Sequence, residues 1–387
     1  MNPYQPGAGR RPREIAGRDR QLRAFQTSVE RCELGFGERS LVLSGLRGVG
    51  KTVLLNEFAS IAENRGWITA KVEASAGRSV LGLLTQSLYR SLRSVAGREG
   101  PQRIMSLLRV FKSFSLTVDP TGNYTFGVDV APALGRADSG NADIDLSELL
   151  EELGTTTRAL GRGTLILIDE MQDVPTGELA TLNAAIHAVG QGADPLPVLL
   201  VGAGLPSLPE VLSAATSYAE RLYEYTALGQ LDPADAHTAL TKPALDMGVA
   251  WAGDALMGID EFASGYPYFI QTGGKYAWDY APASPITADD ARVGLVAAQA
   301  EIDSGLYRAR WQRATPQQRT LMATLAQLGG DSPTLMSDIG TRMGKDRAKL
   351  SVARDQLIKK GLIYAPERGH IAFTVPGMAA YIRRQPT

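Results

Sequence analysis

The chain has 387 residues, 44% hydrophobic and 21% charged, an ordinary globular balance with room for two or three domains. No apolar run approaches the ~20 residues that cross a bilayer. The opening MNPYQPGAGRRPRE is charged without an apolar core, which argues against a signal peptide, and the lone Cys32 has no internal disulfide partner. Together these predict a cytoplasmic location and no membrane partner. The net charge of −1 is unevenly spread: Thr315–Thr387 holds 11 Lys/Arg against 5 Asp/Glu, a net of +6, leaving 29 against 36, or −7, for Met1–Ala314. A basic end on an acidic body suits an anionic partner.

Taken in chain order, residues 1–13 read as a disordered basic arm and 18–34 as a helix. Arg39–Ser44 (RSLVLS) is an apolar strand. Gly45-Leu46-Arg47-Gly48-Val49-Gly50-Lys51-Thr52 follows and satisfies G-x-x-x-x-G-K-[ST], leading into a helix from Val53 with apolar spacing at Leu54, Leu55, Phe58 and Ile61. Strand, glycine loop and helix form a phosphate cradle: the glycines let backbone N–H groups turn inward, and the helix N-terminus adds a favourable dipole. Lys51 would reach the β- and γ-phosphates of ATP, and Thr52 would ligate Mg²⁺.

A strand at 67–73 and helices near 78–96 and 101–112 come next. The alternation in FSLTVDPTGNYTFGVDV (114–130) predicts a β-hairpin insertion at about 113–130, either covering the sheet edge or touching a partner. After a loop and a helix at 144–160, TLILIDE (164–170) is an apolar strand of the kind buried on both faces. It ends in two carboxylates at the crevice end of the strand: Asp169 for Mg²⁺, and Glu170 to orient and polarise the attacking water. A helix at 176–190, a strand at 197–202 and a helix at 207–216 complete an alternating pattern, which predicts a parallel sheet covered by helices.

From about Leu231 the pattern is all helical. Asp232-Pro233 opens one helix as N-cap and N1; others fall near 254–264, 267–281 and 287–302. Thr315-Pro-Gln-Gln318 is a capping-box start. Helices follow at about 315–328, 334–343 and 346–360, then two strands around Glu367-Arg368-Gly369 and a last helix to Arg384. Three helices and a hairpin read as a winged helix-turn-helix, with Lys345, Arg347, Lys349 and Arg354 on or before the third helix and Arg368 at the wing tip as DNA contacts. The same module could instead dock a protein. His187, His237 and His370 show no metal-ligand spacing.

These motifs carry a resemblance to AAA+-type P-loop ATPases of the bacterial and archaeal group related to origin-recognition ATPases, close to the STAND class of nucleotide switches. EIAGRDRQL (14–22) resembles the box that opens such domains, and GLRGVGKT and LILIDEMQ resemble the Walker A and B motifs. LPVLLVGAGLPSL (196–208) stands at the sensor-1 strand, and GYPYFIQ (265–271) at the Gly-x-Pro lid turn. The resemblance implies a P-loop domain at 14–229, a helical lid at 230–312 and a winged helix at 313–387. It implies base contacts at Ile15 and Pro267, an arginine finger at Arg221, and ATP-dependent homo-oligomers. Two departures stand out: the sensor-1 strand ends Gly202-Ala203-Gly204 with no polar side chain for Glu170, and the lid turn has no arginine. Both point to a slow ATPase used as a switch. Three functions are open: a DNA-binding switch, a STAND-like scaffold with a protein partner, and a helper of transposition or replication.

Overall fold

The computed structural model describes residues 1–385 apart from 100, 119–132, 134 and 193, and the side chains apart also from 95–105, 115–118 and 347. The first part alternates helix and strand: α1 Asp19–Glu33, β1 Ser40–Ser44, α2 Lys51–Asn64, β2 Ile68–Glu73, α3 Val80–Glu99, α4 Pro101–Val118, α5 Ala142–Ala159, β3 Thr164–Asp169, α6 Thr176–Gly190, β4 Val198–Gly204, α7 Leu208–Ala215, α8 Ala219–Leu222 and β5 Tyr223–Ala227. The strands form one parallel sheet in the order β2-β3-β4-β1-β5. Every residue of β3 and of β4 is buried, as a sheet covered on both faces requires. One apolar layer joins α3–α6 to one face; the other holds α1 and α2, with Phe25 stacked on Phe58 at 4.2 Å. This is the P-loop NTPase fold, and it brings the C-terminal ends of β1 and β3, with β4 between them, to the same edge of the sheet beside the glycine loop.

The remainder is helical, ending in a small sheet: α9 Pro233–Leu245, α10 Gly253–Ala263, α11 Pro267–Tyr280, α12 Ala288–Glu301, α13 Arg308–Arg313, α14 Pro316–Gly329, β6 Thr334–Leu335, α15 Met336–Met343, α16 Arg347–Lys359, β7 Ile363–Tyr364, β8 His370–Phe373 and α17 Met378–Arg383. Strands β6, β8 and β7 pair antiparallel. Asp232 caps α9, and Thr287 and Thr315 close capping boxes on α12 and α14, satisfying N–H groups that the first turn leaves free. A π-helical turn at Ile302–Tyr307 carries α12 into α13 without a break. A single apolar cluster runs from α9–α12 through Ile302 and Tyr307 into α14–α17, so the two helical regions share one core.

Two expectations are corrected. The first strand of the predicted hairpin is the last turn of α4. Alternation at Phe114, Leu116 and Val118 competes with the helical spacing of Leu107, Val110, Phe111 and Phe114, and all four of these are buried in the main core; burial of that stripe decides the period. The rest of the hairpin, 119–130, lies outside the described residues. Second, residues 1–13 do not trail away as a disordered arm. Tyr4 is 3% exposed within the core of the helical region, so one buried aromatic outweighs a composition typical of disorder.

Candidate nucleotide site

The glycine loop turns back over the end of β1 and enters α2 at Gly50, with Gly48 and Gly50 at φ +88° and +94°. Gly45 has no room for a side chain: a Cβ there would lie 2.3 Å from the Leu228 carbonyl oxygen. Lys51 is buried at the first position of α2. Its Nζ donates to the carbonyls of Gly45 (2.7 Å) and Leu46 (2.9 Å). Burial lowers its pKa to about 8, opposed by the nearby charges of Glu170 and Asp169. The Thr52 hydroxyl donates to Asp169 Oδ2 at 2.6 Å, so hydroxyl and carboxylate already share the space of one small cation. An all-oxygen pair of this kind fits Mg²⁺.

Glu170, at φ +50° just after β3, is held at both carboxylate oxygens. Arg47 Nη1 donates to Oε1 at 2.5 Å, and Gln172 Nε2 donates to Oε2 at 2.6 Å. Gln172 Oε1 in turn accepts from the Leu205 amide at 3.0 Å, immediately beyond β4. The end of β4 is occupied from the β3 side: a Cβ on Gly202 would meet Met171 Sδ at 2.2 Å, and one on Gly204 would meet Gln172 Oε1 at 2.4 Å, so a side chain there would have to displace Met171 or Gln172. The polar partner expected to be lacking for Glu170 is therefore present, supplied by Gln172 across the β3–β4 gap.

These groups open into a cavity of about 510 Å³ between the sheet, α11 and the C-terminal part of the chain. Ile15, Val53, Pro267, Arg18 and Arg310 line it together with the loop. Tyr268 donates its amide to the Gly48 carbonyl at 3.2 Å, and the Arg47 amide donates to the Thr374 carbonyl at 3.0 Å. The loop is thus gripped from both helical regions.

Residues 14–201 match the AAA ATPase domain family. The chain carries an AAA ATPase domain. Residues 304–382 match a family described as a domain of unknown function (DUF8462). Among solved structures, the Walker-type ATPase PABY2304 of Pyrococcus abyssi is 16% identical with a TM-score of 0.55, over 96% of this chain and 97% of that one. The RuvB Holliday junction branch migration motor of Thermotoga maritima is 17% identical with a TM-score of 0.47, over 97% and 99%. The Orc1 protein of Aeropyrum pernix, solved in complex with DNA, is 16% identical with a TM-score of 0.43, over 97% and 94%. The first of these shares the fold across nearly the whole of both chains. No curated protein matches the sequence.

Two arginines at the AAA cavity escaped the motif reading. Arg18 bridges the Val49 (3.1 Å) and Gly229 (2.9 Å) carbonyls. Arg310 comes from α13, well beyond the lid turn. Its Nε is buried without a partner among the described residues, and its pKa falls to about 10 through burial, then through the neighbouring Arg47 and Arg313. A buried guanidinium beside other cations is costly unless an anion joins it. The only advance signal for it was the cluster Arg308, Arg310 and Arg313 in a segment without a motif.

Arg221 does not reach this cavity. It is exposed in α8, just before β5, at the opposite end of the sheet from the loop, since Ser40 and not Ser44 pairs with Tyr223. Nor does it pair with Glu224, which meets Arg39 at 3.6 Å. It lines a second cavity with His187 and Tyr218, whose rings stack at 4.6 Å. Lys345, Lys349 and Arg368 are exposed, while Arg354 pairs with Asp355 at 2.9 Å. The side chain of Arg347 lies outside the described part.

Proposed function

We propose that the protein is an ATP-binding switch whose phosphate loop controls a C-terminal winged helix that binds duplex DNA. The observation that carries this reading is the hydrogen bond from the Arg47 amide, inside the phosphate loop, to the Thr374 carbonyl just beyond β8. A ligand that reshapes the loop acts directly on the C-terminal unit. The reading divides the chain into a P-loop domain at 14–229, a lid at 230–312 and a winged helix at 313–387.

In this reading Lys51 and the loop amides hold the phosphates of ATP or ADP, with Ile15 and Pro267 beside the base. Thr52 and Asp169 hold Mg²⁺, which would neutralise phosphate charge. Arg310 donates to the terminal phosphate in place of the arginine that the lid turn lacks. Glu170 accepts the proton of the attacking water once Arg47 has left it, and Gln172 keeps its carboxylate aimed. Because Arg47 occupies Glu170 before any nucleotide acts, turnover is slow, as a switch requires. Arg221, at the far end of the sheet, is placed to serve a neighbouring subunit only.

Helix α16 is the DNA-facing helix, with Arg347, Lys349 and Arg354 along it, Lys345 just before it and Arg368 on the β7–β8 turn. About four phosphate contacts predict that affinity for duplex DNA falls on the order of 10²-fold between about 50 and about 200 mM salt. An affinity that ignores salt, or no binding with either nucleotide, would reject the DNA role. Two observations favour a protein partner instead: Val352 on α16 is 64% exposed, and Arg354 is paired with Asp355. Failure to bind DNA together with nucleotide-dependent assembly would select that reading. A helper of transposition or replication would show DNA binding but act through a second enzyme.

A further inference from the structure

Residues 2–13 cross the open side of the nucleotide cavity and are fixed at both ends. On the helical side, Asn2 Nδ2 donates to the Lys275 carbonyl (2.9 Å) and to Asp279 Oδ1 (2.7 Å), both on α11. The Tyr4 hydroxyl donates to the Leu240 carbonyl of α9 at 2.5 Å and accepts from Trp251 Nε1 at 2.9 Å. Its ring lies edge-on to Trp251 and Trp278 at 6.2 and 6.4 Å. The seat is shaped for it, because a Cβ on Gly274 would lie 2.9 Å from the Tyr4 ring. The Gln5 amide donates to Gln271 Oε1 at 3.1 Å.

On the sheet side, Asn56 Nδ2 donates to the Gly9 carbonyl at 3.2 Å, and Arg11 Nη2 donates to Glu57 Oε2 at 3.1 Å, both partners on α2. Gly9 has φ +65°, and a Cβ there would sit 3.0 Å from Thr52 Cγ2. Glycine alone lets the arm pass this close to the phosphate loop. Between the anchors, Gln5 to Arg10 line the cavity. Among the described residues, the amides of Gly7 and Ala8 have no partner within the chain.

We propose that this arm is the third wall of the nucleotide site. It closes over the nucleoside end of a bound ADP or ATP, and Tyr4 is the positioning residue that sets how long the nucleotide stays. The proposal rests on the nucleotide-site reading above. Both anchors must hold for the wall to stand, because one sits on the lid helices and the other on the P-loop domain. Nucleotide release is therefore tied to separation of these two bodies. A wall that closes after entry changes departure more than arrival, so its effect falls on the dissociation rate.

The test is stopped-flow release of a fluorescent ADP from the full chain, from a chain lacking residues 2–12, and from Tyr4→Ala and Tyr4→Phe. Release is expected to quicken about tenfold or more in the truncated chain and in Tyr4→Ala, and less in Tyr4→Phe, with association nearly unchanged. A synthetic peptide of residues 1–12 should slow release again from the truncated chain, which a general loss of structure would not allow. Should the truncated chain fail to fold, Asn56→Ala, which frees the Gly9 carbonyl and otherwise gives up only a hydrogen bond from the exposed Lys71, should still quicken release. Wild-type release rates in Tyr4→Ala and Asn56→Ala would overturn the clasp while leaving the nucleotide site intact. If the full chain binds ADP no better than Lys51→Ala, the site reading itself fails and the clasp falls with it.

Discussion

In the proposed mechanism, Glu170 and its two partners decide how the site works. Glu170 stands at an αL backbone position just after β3, and Arg47 and Gln172 take one carboxylate oxygen each. Glu170→Gln is expected to keep ATP bound and stop turnover; a single-turnover assay finding the wild-type rate would remove Glu170 as the base. Gln172→Ala should lower kcat by about tenfold or more while leaving ATP affinity unchanged, since a hydrogen bond to a carboxylate contributes about 1.5 kcal/mol or more and only orientation is lost. Arg310→Ala should weaken ATP by roughly 10-fold or more with little effect on ADP, a charge-assisted bond to the terminal phosphate being worth about 1.5–3 kcal/mol; equal losses for both nucleotides in a titration would place Arg310 elsewhere.

Cys32 gives a pH prediction. Burial raises its thiol to about 12, above the free value of about 8.5. The neutral thiol is favoured in the folded state, so its contribution to stability is complete below about pH 8.5 and is lost as pH climbs towards 12. Alkylation at about pH 9 should therefore be slow in the native chain and fast only after unfolding, as followed by intact mass.

At the scale of elements, legibility followed burial. The strand Thr164–Asp169, the loop and α2 were readable because apolar runs and glycine spacing have one physical meaning there. Helix α4 was misread at its end because a short stripe satisfied two periods at once. Strand β5 was missed because YEYTA is an edge strand with only Tyr223 fully buried, so it carries no continuous apolar signal. Helix α13 was missed because a π turn continues α12 where the sequence shows no cap. Arg310 went with it. Gln172 was invisible for another reason: its role depends on the tight approach of Met171 and Gln172 to Gly202 and Gly204, a long-range contact with no local signature. Arg221 stands in α8 at the far end of the sheet from the loop, so Arg221→Ala should leave the rate of dilute protein unchanged and lower it only at concentrations where oligomers form. A loss independent of concentration would contradict action in trans.

At the scale of the molecule, the sheet part and both regions of the helical part meet at one loop. Tyr268 reaches Gly48 from the lid side, Thr374 reaches Arg47 from the C-terminal side, and Leu46 packs on Leu205, Tyr364 and Ala372. Helix α13 is tied to the last unit as well: Arg313 and Lys360 exchange hydrogen bonds with each other's carbonyls at 2.9 and 2.8 Å, and Tyr307 donates to the Pro376 carbonyl at 2.7 Å. Arg310 therefore moves with the C-terminal unit, and an anion that draws Arg310 inward would draw that unit with it. A ligand shifts such an equilibrium only by its differential affinity for the two arrangements, so the two nucleotides must act differently. The most direct measurement is duplex DNA affinity by fluorescence anisotropy at fixed low salt, with ADP and with a non-hydrolysable ATP analogue. The account predicts affinities that differ by about fivefold or more between the two nucleotides, with the difference abolished in Arg310→Ala. Equal affinity in both states, with both nucleotides shown to be bound, would contradict control of the C-terminal unit by the phosphate loop.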